Sequence, residues 1–137
     1  MTISLSGLAK GSIKRISENH LDNVHSGGMG AGVNTETGII ETDAVDKHFR
    51  RYSVHPLTKK PIKGVAIPDW EAVKLLVLET ASVTPELRYS SWDIAVTPDG
   101  PVMIEGNWDA EFYAEQMLYN RGHRTLFTNK LEGKKND

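Results

Sequence analysis

The period of the hydrophobic pattern changes along the chain, and each change marks an element. Ser12 to Ser17, with Ile13 and Ile16, reads as a short strand. Glu18 to Asp22 is polar, and the run from His25 to Val33 follows it. That run holds four glycines in the six residues Gly27 to Gly32, so its backbone is sharply bent or closely approached. Asn34-Thr35-Glu36-Thr37-Gly38 is turn chemistry, with Gly38 able to take a positive φ. A strand from Ile39 to Val45 should follow. Tyr52 to His55 and Ile62 to Ile67 should form a second extended pair around Pro56 to Pro61.

The period then becomes helical. Trp70, Val73, Val77 and Ala81 recur on one stripe, and Leu75, Leu76 and Leu78 widen it, which predicts a mostly buried helix. Asp69 after Pro68 is the expected N-cap, and Pro85 ends the helix. Tyr89 to Thr97 and Pro101 to Asn107 alternate as the two arms of a hairpin. Pro98-Asp99-Gly100 should be its three-residue loop. A last helix is expected from Asp109 to Arg121, with Gly122 as its C′ residue. Strands, helix, hairpin and helix in that order predict an α+β fold, an antiparallel sheet with packed helices.

Composition narrows the classes. A length of 137 residues predicts one domain. With 16 Lys+Arg against 18 Asp+Glu and a net charge of -2, the chain has no phosphate-backbone footprint, so no nucleic-acid partner is expected. There are no cysteines, which excludes disulfides, zinc thiolates and a cysteine nucleophile. No run approaches the length of a membrane span and no signal peptide is legible, so a cytoplasmic location without membrane contact is expected. Residues 132–137 read as a polar tail that frays, leaving 1–131 as the folded unit.

The hairpin carries the chemical signal. With the three-residue loop, Asp93 falls opposite Glu105, and Met103, Glu105 and Asn107 share a face while Val102, Ile104 and Gly106 share the other. Asn107 is then a diagonal neighbour of Asp93. Directly opposed like charges destabilise a sheet. Two carboxylates and an amide are an all-oxygen donor set that suits Mg²⁺. The alternative is a solvated face that happens to carry two acids.

The run Trp92-Asp93-Ile94-Ala95-Val96-Thr97-Pro98-Asp99-Gly100-Pro101-Val102-Met103-Ile104-Glu105-Gly106-Asn107 resembles the metal-binding hairpin of the ATP-grasp superfamily. Asn23-Val24-His25-Ser26-Gly27-Gly28 resembles the Asn-x-His-x-Gly-Gly element of its glutamate-ligase branch, with Arg15 a few residues upstream. The Thr37-Gly38 and His55-Pro56 turns, Ile67-Pro68-x-Trp70 and Trp-Asp-Ile-Ala resemble the sugar-transfer-associated ATP-grasp family, related to α-L-glutamate ligases, over about Ile13 to Leu118. The resemblance implies the C-terminal lobe of an ATP-grasp fold. It also implies ATP and Mg²⁺ as cofactors and a carboxylate substrate activated as an acyl phosphate for attack by an amine. Asp93, Glu105 and Asn107 would hold the metal. Arg15 and Asn23 would act on the transferred phosphate or substrate, and the Gly27 and Gly28 amides would form an anion nest. Asn107 is followed by Trp108-Asp109-Ala110-Glu111, where many ATP-grasp ligases carry Pro-Gly. The lobe that grips ATP from the other side should precede Met1. It would come from a separate partner, or from a longer chain of which this is a part, and a homo-oligomer is the remaining option. A truncated, non-catalytic relative that binds a ligand or a protein is the competing function. Arg15 beside Lys14 also reads as a surface basic pair, and the glycine run as a bulged strand. Arg88 is a further phosphate-binding candidate.

Overall fold

A computed structural model describes residues 2–8, 11–17, 28–86, 89–108, 113–120, 122 and 124. In chain order the elements are β1 (Thr2–Leu8), β2 (Gly11–Ser17), β3 (Met29–Gly30), β4 (Ala44–Asp46), β5 (Arg51–Tyr52), α1 (Trp70–Val83), β6 (Tyr89–Thr97), β7 (Gly100–Asn107) and α2 (Tyr113–Tyr119). They build a four-stranded sheet in the order β2-β1-β6-β7 and a three-stranded one in the order β3-β4-β5. Every pairing between these strands is antiparallel. The α+β pattern predicted antiparallel strands with helices, and that mixed, antiparallel architecture is observed, in two sheets rather than one.

β1 was not expected. It lies at the centre of the large sheet, pairing with β2 on one side and β6 on the other. Its sequence, Thr-Ile-Ser-Leu-Ser-Gly-Leu, does alternate polar and apolar residues, which is the signature of a half-buried strand.

The core forms where α1 covers the turn region and the hairpin. Val33, Ile40, Ile67, Trp70, Val73 and Ile94 meet there, and Val73 and Ile94 are wholly buried. The turn after Val33 grips Trp70. The Trp70 indole N–H donates to the Thr35 carbonyl at 2.9 Å. Gly38 takes φ 72, and a Cβ there would run into the Trp70 side chain. Position 38 therefore demands glycine twice over, for its dihedral and for the indole lying against it.

Three local expectations need correction. Asp69 occupies the N-cap position, and its carbonyl accepts from the Val73 amide at 3.0 Å, but at φ 50 its side chain makes no cap hydrogen bond. α1 is also less buried than its leucine content implied. Trp70 and Val73 are buried, whereas Leu75, Leu78 and Val83 are exposed. α2 ends at Tyr119, and Asn120 after it takes the left-handed conformation at φ 51 in place of Gly122. Asparagine tolerates this region because its short amide can bond locally. Residues 109–112 and 121 of the expected last helix, and the tail 132–137, lie outside the described residues.

α2 docks on the small sheet. Val45, Met117 and Leu118 form a second buried cluster with Tyr119 packed against it. The Tyr119 hydroxyl donates to Glu41 Oε1 at 2.8 Å. The Arg51 guanidinium donates to the Met117 carbonyl at 3.2 Å, satisfying a C-terminal helix acceptor with a cation. Among the described residues no helix is long and apolar enough to cross a membrane.

Candidate functional site

The hairpin brings the two acids together, by a different route from the one expected. Thr97 pairs with Gly100 and Val96 with Pro101, so the connection is the two residues Pro98-Asp99. Gly100 takes φ 110 to close it. The shorter loop slips the register by one residue, and left alone it would put Glu105 opposite Trp92. A β-bulge between Asp93/Ile94 and their partners restores the phase: Ile94 pairs with Met103, but Asp93 pairs with Glu105. Ile104 is the extra residue. A one-residue slip inverts which face a side chain occupies, and bulges recur beside functional sites because they re-aim side chains.

The bulge also corrects the expected faces of β7. Met103 lies on the face of Ile94 and packs partly into the core. Val102 and Ile104 are exposed. Beyond the bulge, Gly106 faces Trp92, and a Cβ at position 106 would strike the Trp92 ring. That ring fills the space a side chain would otherwise occupy and fixes the approach of the two strands behind the acids.

On the site face, Asp93 is half-buried, and Glu105 and Asn107 are exposed. Asn107 Nδ2 donates to Glu105 Oε1 at 3.4 Å, so these two side chains meet. Opposed Cβ atoms in such a pair stand about 4.5–5.5 Å apart. Two carboxylates and a neighbouring side-chain amide are a donor set of the kind that suits Mg²⁺, which takes one or two protein carboxylates and completes its shell with water or phosphate. Among the described residues no three His, Cys, Asp or Glu side chains gather around a common point. The hairpin set is two acids and an amide, a smaller charge that leaves room for phosphate.

The sheet extends this row. Ser4 of β1 pairs with Asp93 on one side and with Arg15 of β2 on the other. Arg15, Ser4, Asp93 and Glu105 are thus consecutive register positions across four strands. With strands about 4.8 Å apart, the Arg15 backbone stands about 10 Å from that of Asp93. The next row runs Ile13, Ser6, Ser91 and Asn107. The register positions of Ser4, Ser6 and Ser91 beside Asp93 and Asn107 were not legible in the sequence, because they depend on β1 and on pairing between distant strands. Gly28 is buried just before β3. Asn23 and Gly27 lie outside the described residues, as do His25 and Arg88.

The family model for sugar-transfer associated ATP-grasp proteins matches residues 12–132. The chain belongs to this family. No curated protein and no solved structure matches it. Membership ties the sugar-transfer associated ATP-grasp chain to ATP-grasp-type ligases and to nucleotide binding in general. The match includes β2 with Arg15 and the whole β6–β7 hairpin, and it begins after β1.

A second ionic cluster lies in the turn between β4 and β5. Asp46 is 7% exposed. Its Oδ1 accepts from the His48 and Arg50 backbone amides, and its Oδ2 from Arg50 Nε and the Tyr52 hydroxyl. A salt bridge of 2.7 Å from the Arg50 guanidinium completes it. Burial pushes the Asp46 carboxyl up, but these donors outweigh it and hold the group well below the usual carboxylate range. The same contact raises both the Tyr52 hydroxyl and the Arg50 guanidinium.

Proposed function

We propose that this chain is the C-terminal lobe of an ATP-grasp carboxylate–amine ligase, related to glutamate ligases, that holds Mg²⁺ and the phosphates of ATP. The observation that carries this reading is the pairing of Asp93 with Glu105, with Asn107 beside them, in a register row that begins at Arg15. A bulge that restores an otherwise repulsive acid pair makes sense if a cation occupies it. Asp93 and Glu105 would hold the ion through carboxylate oxygens, and Asn107, whose Nδ2 donates to Glu105, would turn its amide oxygen to the same ion. The bound ion would supply Lewis-acid polarisation of the phosphoryl group and a template for it. Arg15 would balance charge on the transferred phosphate, and Gly28, with Asn23 and Gly27, would present backbone and amide donors to the acyl phosphate. A further lobe, in the same polypeptide or in a partner, would cover the nucleotide from the other side. The chain alone would then bind the metal weakly and turn nothing over. The family label points to sugar-polymer synthesis as the setting.

Manganese broadening in amide NMR spectra tests this directly, since Mn²⁺ suits the same oxygen donors. Substoichiometric Mn²⁺ should broaden Asp93, Glu105 and Asn107 first, and excess Mg²⁺ should reverse it. Broadening centred elsewhere, or none at millimolar metal, would sink the reading.

A further inference from the structure

The β4–β5 turn carries an aromatic ring where a glycine would be less strained. Phe49 takes φ 63, a region disfavoured for bulky side chains and open to glycine. Phe49 is 59% exposed. The Asp46 network forces this shape: the Phe49 amide donates to the Asp46 carbonyl at 3.0 Å, while the Asp46 carboxylate ties down residues 48, 50 and 52. Strain held in place by a surrounding network is characteristic of ligand sites.

Beside this turn, an open groove of about 440 Å³ runs to the C-terminal end of α2, lined by Val45, Phe49, Arg51, Gln116, Met117 and Asn120. The volume falls within the range of about 300–1,000 Å³ usual for small-molecule sites. None of the six lining residues is acidic. Buried Val45 and Met117 give an apolar floor, and Phe49 gives a ring. Arg51 is steadied at the groove by its bond to the Met117 carbonyl. Gln116 and Asn120 bring carboxamides, which donate and accept together, as vicinal hydroxyls require. Lys47 and Arg50, both exposed, stand beside the lining residues in the chain, with Arg50 held by Asp46.

We propose that this groove binds an acidic sugar, a monosaccharide unit carrying one carboxylate or phosphate. Its C–H face lies on Phe49, its anion pairs with the Arg51 fork, and its hydroxyls meet Gln116 and Asn120. The site shares no residue with the Asp93–Glu105–Asn107 set, so binding here needs neither ATP nor metal and stands or falls separately from the ligase reading.

Amide NMR titrations of the chain with glucuronate, glucose 1-phosphate, glucose and inorganic phosphate test it. Either acidic sugar should give saturable shifts at Phe49, Arg51 and Asn120. Glucose and phosphate alone should bind at least about tenfold more weakly, since each lacks half of the recognition. Phe49→Gly separates the ring from the fold: it should raise Tm by about 2–4 °C by relieving the left-handed strain. The same change should weaken acidic-sugar binding about tenfold. The proposal is overturned if phosphate alone matches the sugars, if no acidic sugar shifts the groove, or if Phe49→Gly binds as the parent does. It is equally overturned if the chain sediments with phosphatidylglycerol vesicles and ignores the sugars, which would assign the turn to a membrane surface.

Discussion

Two aspartates show how differently one fold can treat a carboxylate. Asp46 is buried and its needs are met from within: two backbone amides, a guanidinium and a phenol converge on it. Asp93 is half-buried and faces a second acid across the ladder, with an amide from Asn107 reaching that partner at 3.4 Å. The first arrangement consumes the charge to hold a turn. The second sets like charges together on an open face. Opposed like charges weaken a sheet, so the proposed function makes this a contrast between an acid that serves the fold and acids that would serve chemistry.

The largest expected effect is at the structural acid. Asp46→Ala removes the common acceptor of residues 48, 50 and 52, and Tm should fall on the order of 10 °C. Acid titration should show the same dependence. The Asp46 carboxyl is depressed in the folded state, so its contribution is complete above the ordinary aspartate range and is lost as pH falls toward the folded value. Stability followed by urea unfolding should therefore drop steeply below about pH 5, and Asp46→Asn should flatten that slope. A slope unchanged by Asp46→Asn would erase the distinction drawn between the two acids.

An intermediate effect is expected where the fold supports the site. Gly106→Ala drives a methyl group into the Trp92 ring, an overpacking that costs about 1–3 kcal/mol. Because Trp92 and Gly106 pair next to Asp93 and Glu105, the same change should weaken Mn²⁺ broadening at the hairpin. Equilibrium unfolding and the metal titration, read on one variant, check both halves. Weakened unfolding stability with unaltered metal binding would show that the acids need no such backing.

The sheet class, the Gly38 turn, the end of α1 before Pro85 and the opposed acids were legible because each rests on neighbours or on a short-range period. The pairing of Asp93 with Glu105 was anticipated through a loop one residue too long, and the bulge at Ile104 cancels the error. Pattern alone does not reveal a bulge, since Met103, Ile104 and Glu105 alternate in either phase. The Arg15–Ser4–Asp93 row was not legible, because it depends on β1 inserting between β2 and β6. Asp46 was also missed: its partners lie at sequence spacings common to many turns, and only the folded turn makes them converge.

The smallest expected effect is the sharpest test of the comparison. Removing a charge from the hairpin should leave the metal-free protein as stable as before, or slightly more so, because it relieves like-charge repulsion. Glu105→Gln keeps the shape and the Asn107 contact, and an exposed substitution of this kind stays within about 0.5 kcal/mol. Asp93→Ala should be neutral or stabilising by less than about 1 kcal/mol. Mg²⁺ should raise the Tm of the parent chain, and either change should abolish that rise, because one of the two carboxylates is gone. A large loss of metal-free stability in Asp93→Ala would place Asp93 with Asp46, as an acid the fold itself depends on. Retained Mg²⁺ stabilisation in both variants would mean that the opposed carboxylates are not where the ion sits.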